Sequence, residues 1–209
     1  MHDYIMYEVN VFEHAVTDWC MFCREVCQEL MMNERAQKIG GFGMTVEIDE
    51  SKFGKMKYGR GKPVKGEWVF GGVERGTGRC FFRVVERRDA ETLLPIVKDW
   101  VLPGTTIISD CWKAYNCLEN ERYEHLRINH SLTYVDPETG AHTNAIEGTW
   151  SAIKRALRGT HHVEGEFDSY LAEYMWRKLH GHKQTDAAFK AFLEDMIKIY
   201  PPAEQDPSP

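Results

Sequence analysis

A chain of 209 residues with a formal charge of −6 and 43% hydrophobic residues is long enough to bury a core of its own. It carries no apolar run near the length of about eighteen residues that a membrane span needs, no N-terminal basic region leading into an apolar one, and six cysteines whose irregular spacing fits reduced thiols better than a disulfide scaffold. The net charge argues against indiscriminate nucleic-acid binding, yet it hides an asymmetry: residues 1 to 50 hold three Lys/Arg against ten Asp/Glu, whereas Ser51 to Lys65 carries Lys52, Lys55, Lys57, Arg60, Lys62 and Lys65 with no acid among them.

In chain order, residues 11 to 39 are predicted helical, because Phe12, Val16, Trp19, Cys20, Cys23, Val26, Cys27 and Leu30 recur at three- and four-residue intervals. Cys20, Cys23 and Cys27 lack the second close pair of a zinc site and are read as thiols on a core-facing helix. Gly40, Gly41 and Gly43 end that helix, and the boundary of an N-terminal helical segment (1–43) is set there. Met44 to Glu50 follows as a short strand in which Val46 and Ile48 alternate with Glu47 and Asp49. After the basic segment, which fits either a polyanion or a solvated hairpin tip, Trp68 to Val73 and Cys80 to Val85 are two further strands of an antiparallel meander.

Thr92 to Val101 is predicted helical with Pro95 in its first turn. The β-branched run Thr105 to Ser109 is a buried strand reaching Asp110, and a short helix then carries Trp112, Tyr115 and Leu118. Tyr123 to His130 is a fifth strand. A helix from Asn144 places Ile146, Trp150, Ile153 and Leu157 on one face and Asn144, Glu147, Ser151 and Lys154 on the next. Two more helices, Phe167 to Leu179 and Asp186 to Ile199, complete a domain spanning 44–200, with a polar tail at 201–209. Three strands, helix, strand, helix, strand, helix is the order of an α/β fold of the ribonuclease-H-like kind: a mixed sheet of about five strands flanked by helices, with an N-terminal helical segment and C-terminal helices.

In such a sheet the first and fourth strands are neighbours, which brings Asp49 beside Asp110, and the helix after strand five carries Glu147 across them. Three carboxylates without counter-charge repel and raise one another's pKa unless divalent cations lie between them; Mg²⁺ or Mn²⁺ suits such oxygen donors. Each acid also has a structural alternative: Asp49 as a strand-end turn residue, Asp110 as the N-cap of a helix starting at Cys111, and Glu147 as the acid of a capping box opened by Asn144.

The segments VEIDES (Val46 to Ser51), KYGRG (Lys57 to Gly61), WVFGGVER (Trp68 to Arg75), SDCWKAY (Ser109 to Tyr115), NHS (Asn129 to Ser131) and HTNAIEGTWSAIK (His142 to Lys154) together resemble the Merlin group of DDE transposases and their ISXO-type bacterial insertion-sequence relatives. The resemblance runs from about Thr17 to Arg158. It implies a catalytic and metal-binding triad of Asp49, Asp110 and Glu147 holding two Mg²⁺ or Mn²⁺ ions, cleavage and transfer of DNA strands, and a homo-oligomer acting on transposon ends and target DNA. Lys154 matches a basic residue that holds the DNA end, with Asn144 and His142 in supporting motif positions. Lys52, Lys55, Lys57, Arg60, Lys62 and Lys65, with Arg155 and Arg158, are the expected phosphate contacts. The expected compartment is the nucleus in a eukaryote and otherwise the cytoplasm. Relatives commonly carry a zinc ribbon or helix-turn-helix ahead of the catalytic domain. The first 43 residues show neither signature, which leaves open a truncated copy, or a host-adopted one that binds DNA or a protein without cutting.

Overall fold

The computed structural model describes residues 2–32, 37–54, 66–129, 140–158, 165–181 and 186–202. The chain begins with helices α1 (His2–Val9) and α2 (Glu13–Met32), then a two-residue strand β1 (Ile39–Gly40). The antiparallel meander β2 (Thr45–Lys52), β3 (Trp68–Glu74) and β4 (Cys80–Val85) follows. Helix α3 (Ala90–Trp100) leads into β5 (Val101–Leu102), which pairs with β1, and into β6 (Thr106–Asp110). A 3-10 helix (Lys113–Asn120), β7 (Glu124–Ile128), α4 (Asn144–Ala156), α5 (Phe167–His180) and α6 (Asp186–Ile199) complete the described elements. The five-stranded sheet has the order β4-β3-β2-β6-β7, with β6 parallel to β2 and β7 parallel to β6. This is the expected ribonuclease-H-like mixed sheet.

Alternation along β2 sorts the site from the core. Val46 and Ile48 are fully buried against the face carrying α3 and the 3-10 helix, while Glu47 and Asp49 point to the face carrying α4 and α5. Two glycines of β3 let aromatic rings lie close on both faces. A Cβ at Gly71 would stand 2.3 Å from the Phe82 ring, and one at Gly72 would stand 2.4 Å from the Phe81 ring. Phe81 stacks on Trp100 of α3 at 5.5 Å, and Phe82 meets Trp150 of α4 at 4.9 Å and Tyr174 of α5 at 6.3 Å. Along the meander's far side, α5 packs on β4, where the Asp168 carboxylate accepts a hydrogen bond from the Val84 N–H at 3.1 Å, and α2 packs along α5.

Some elements differ from expectation. Helix α1 is additional, and α2 is shorter than the periodic stretch, with Phe12 and Trp19 exposed (77% and 68%) while Val16, Val26 and Cys27 are buried. Helix α3 starts two residues earlier, so Pro95 sits in its interior. Asp89 caps the helix by accepting from the Thr92 N–H, and the buried face of Leu93, Val97 and Trp100 offsets the missing hydrogen bond. Among the described residues all six cysteines are free and no helix is long and apolar enough to cross a membrane.

Candidate active site

The site is set by how α4 is seated on β2. At the amino end of the contact, the fully buried Glu47 carboxylate accepts from Arg75 Nε at 2.6 Å and from the Ile146 N–H at 2.9 Å. The helix is therefore capped by a side chain from the sheet, where one carboxylate satisfies an orphan N–H of the first turn and complements the helix dipole. Arg75 also donates through Nη2 to the His142 carbonyl, and His142 Nδ1 lies 3.6 Å from Glu47 and accepts weakly from the Asn144 N–H at 3.4 Å. The N-cap residue is Thr143, so the capping box opened by Asn144 does not form. Glu147 instead accepts from the Thr143 hydroxyl at 3.0 Å.

One turn toward the carboxyl end of β2 the pattern reverses. The Asp49 carboxylate accepts from Trp150 Nε1 at 3.0 Å. Asp110 accepts through Oδ1 from the Trp112 N–H at 2.9 Å, so it braces the turn after β6 while Trp112, not Asp110, holds the N-cap position of the 3-10 helix. Neither Asp49 nor Asp110 is ion-paired among the described residues. Burial pushes the Asp49 carboxyl up to about 6, opposed by the Glu50 N–H and Trp150, and the negative charges of Asp110 and Glu147 raise it further. Asp49 thus lies within reach of the charges of Asp110, on the neighbouring strand β6, and of Glu147 on α4.

Glu50, on the opposite face, is pushed by burial to about 7; Tyr115 and Arg88 pull it down, while Asp49 and Asp110 add to the rise. Its Oε1 and the facing Tyr115 hydroxyl are both buried without a well-formed hydrogen bond. Among the described residues no three acid, imidazole or thiol groups are already drawn around a common centre. Asp49 and Asp110 nonetheless offer carboxylate oxygens with no cationic side chain paired to them among the described residues, the kind of donor that suits a hard divalent cation.

Of the other expected site residues, Lys154 is exposed on α4, with Nζ 5.4 Å from the centre of the Phe53 ring just beyond β2. Lys52 is exposed at the end of β2, with Nζ 5.6 Å from the centre of the Trp68 ring. Arg155 and Arg158 are exposed at the C-terminal end of α4, and Asn144 is exposed in its first turn. Lys55, Lys57, Arg60, Lys62 and Lys65 lie outside the described residues. Sequence reasoning missed Glu47, Arg75 and the indole N–H of Trp150. The signal available for Glu47 was an acid at an inward position two residues before Asp49, on a strand otherwise apolar on its other face.

Residues 40–178, about two thirds of the chain, match the family model described as the ISXO2-like transposase domain. Over 95 residues the chain is 34% identical to an uncharacterized transposase-like protein of Haemophilus influenzae, a match covering 45% of this chain and 76% of that protein. Two solved structures are similar at lower identity. One is a chain of the simian T-cell lymphotropic virus intasome in complex with the PP2A regulatory subunit B56 gamma, with 13% identity and a TM-score of 0.45, where the match covers 72% of this chain and about half (53%) of that one. The other is the catalytic core domain of HTLV-2 integrase in complex with magnesium, with 12% identity and a TM-score of 0.45, covering 74% of this chain and 97% of that one.

Proposed function

We propose that this chain, which belongs to the ISXO2-like transposase family, cleaves DNA strands and transfers the freed ends, using Asp49, Asp110 and Glu147 to hold two Mg²⁺ or Mn²⁺ ions. The observation that carries this reading is the electrostatic one: burial raises the Asp49 carboxyl, the charges of Asp110 and Glu147 raise it further, and among the described residues Asp49 and Asp110 have no cationic side chain as partner. When bound, divalent cations supply charge neutralisation at the attacking and departing oxygens of an in-line displacement. The protein's own residues supply position. Trp150 fixes the orientation of Asp49, the backbone turn at Trp112 fixes Asp110, and the Thr143 hydroxyl holds Glu147. Lys154, two helical turns beyond Glu147 on α4, is placed to neutralise a strand phosphate, Arg155 and Arg158 extend that contact, and Lys52 offers a separate one at the end of β2. His142 and Asn144 act at the start of α4, where they help seat the helix. Positioning and charge neutralisation are most of what phosphoryl transfer asks of a protein.

The test is a strand-nicking assay on duplex DNA with Mg²⁺ or Mn²⁺, comparing the wild-type chain with Asp110→Asn, and a second assay for joined products from a pre-cleaved end. Nicking that disappears with Asp110→Asn supports the reading. Nicking that survives the substitution would overturn the site, and DNA binding without nicking in the wild type would favour a host-adopted binding domain. Kinship with a bacterial protein supports a cytoplasmic setting over a nuclear one, and a homo-oligomer is the expected working form.

A further inference from the structure

On the face of the sheet away from α4, one arginine is held in an unusual way. The Arg88 guanidinium lies 3.6 Å from the centre of the Trp68 ring and 4.2 Å from that of Trp112, so it rests against two indoles at once. Its hydrogen-bonding edge is another matter. Arg75, Arg79, Arg83, Arg87, Arg127 and Arg177 all donate to carboxylates, amides or carbonyls, whereas Arg88, like Arg24, Arg122, Arg155 and Arg158, donates no side-chain hydrogen bond and makes no ion pair among the described residues, and of these five it is the one held against two indoles. The neighbouring acids Asp89 and Glu91 are taken by Arg87. The charge of Glu50 reaches Arg88 without the two pairing.

The placement matters as much as the geometry. Trp112 donates its backbone N–H to Asp110, and Trp68 stands in register with Lys52, three residues past Asp49. Arg88, Trp112 and the exposed Lys113 line a shallow hollow with Arg87 and Asp89. The carboxyl end of the central strands therefore has Lys154 on one side and Lys52, Arg88 and Lys113 on the other.

We infer that the Trp68–Arg88–Trp112 stack is a preformed clamp for a backbone phosphate of the DNA strand leading away from the carboxylate site, on the side opposite Lys154. This inference rests on the reading of the chain as a DNA-acting enzyme. Contact with two indoles restrains the guanidinium, so its N–H groups meet a phosphate without first being ordered. Because the guanidinium is already in contact with two indoles, the contact recognises backbone charge and leaves base sequence unread.

Affinity for a fluorescently labelled duplex is measured against salt for the full chain, Arg88→Gln, Arg88→Lys and Lys190→Gln, the last a change on exposed α6. Each lost phosphate contact reduces the slope of log affinity against log salt by about 0.9. Arg88→Gln is expected to lower the slope by about one and to weaken binding roughly 3- to 10-fold at moderate salt. Arg88→Lys is expected to retain the slope, and Lys190→Gln to change nothing. A slope unchanged in Arg88→Gln while the wild type binds and nicks overturns the clamp alone, and a loss of thermal stability without a change in slope reduces the stack to a structural staple. A wild type without salt-dependent DNA binding overturns both the clamp and the functional reading. Should Arg88→Gln fail to fold, arginine-directed dicarbonyl labelling of the wild type reads the same contact. DNA is expected to suppress the Arg88 adduct at least about fivefold, and equal labelling with and without DNA overturns the proposal.

Discussion

Two residues apart on β2, Glu47 and Asp49 point to the same face of the sheet under opposite electrostatic regimes. Glu47 is fully buried and is matched on each side, by the Arg75 guanidinium and by the first turn of α4. A second buried acid, Glu74, follows the same rule nearby. Burial works to raise its carboxyl, but hydrogen bonds from Thr77, the Gly40 N–H and Arg79 outweigh burial and hold it below the ordinary value. Asp49 instead has its carboxyl raised to about 6 by burial, with the charges of Asp110 and Glu147 adding to the rise. A buried carboxylate with a cation and a backbone donor holds structure together; one left among like charges weakens the fold and marks a place where something else supplies the positive charge.

Substitutions at the two ends should separate these roles. The largest effect belongs to Glu147→Gln: strand nicking should fall by about 10⁴-fold, while thermal stability stays within about 0.5 kcal/mol because Glu147 is exposed. A loss of stability of the same rank as the loss of activity would make Glu147 a structural residue and erase the contrast. Next comes Glu47→Ala, which leaves Arg75 and the α4 N-terminus without their partner. Breaking such a pair costs about 3–5 kcal/mol, read as a drop in the denaturation midpoint. Nicking by the fraction that remains folded should fall as well, because α4 carries Glu147.

Asp49→Asn should act in the other direction. Its folded carboxyl titrates at about 6 against the ordinary 3.8, so the folded state binds the proton more tightly and wild-type stability falls as pH rises through that window. Without divalent ions the variant should therefore be more stable than wild type above pH 6, by at most about 3 kcal/mol, and the two should converge near pH 4. Parallel melting curves at pH 8 and pH 4 decide it, and a variant less stable at both would end the idea of a strained carboxylate. Mg²⁺ or Mn²⁺ at about 100 times its dissociation constant should then stabilise the wild type by about 2.7 kcal/mol at pH 8, and less at pH 5, where protons compete. Asp110→Asn should lose that gain. The smallest effect is expected from Gly71→Ala, whose Cβ would press on the Phe82 ring beneath Trp150 and cost about 1–3 kcal/mol.

Much of the fold was legible in the sequence because its signals are local. Alternation in β2, the β-branched run of β6 and the periodic faces of α4, α5 and α6 each announce an element and its buried side. The order of strands then gives the sheet. What was not legible depends on partners distant in sequence. The cap on α4 comes from Glu47, 99 residues before Ile146, so the nearby Asn144 and Glu147 suggested a local box that does not form. Likewise Pro95 implied a helix start where the apolar face of α3 continues back to Asp89. For the triad, the sequence supplied the residue types and their order; the hydrogen bonds from Trp150 and Trp112 that orient Asp49 and Asp110 required the fold.

The cap on α4 has a consequence for finding relatives. The helix is docked by a residue of the central strand, so the place of Glu147 is tied to β2 through the Glu47 contact with the first turn of α4. A buried contact of that kind constrains the fold more directly than the interval of 36 residues between Asp110 and Glu147 does. The better fingerprint is the acid-x-Asp pair of Glu47 and Asp49 with an arginine just past the next strand, Arg75. A profile weighted on those three positions should recover members of the family whose second-to-third acid spacing differs widely from this one.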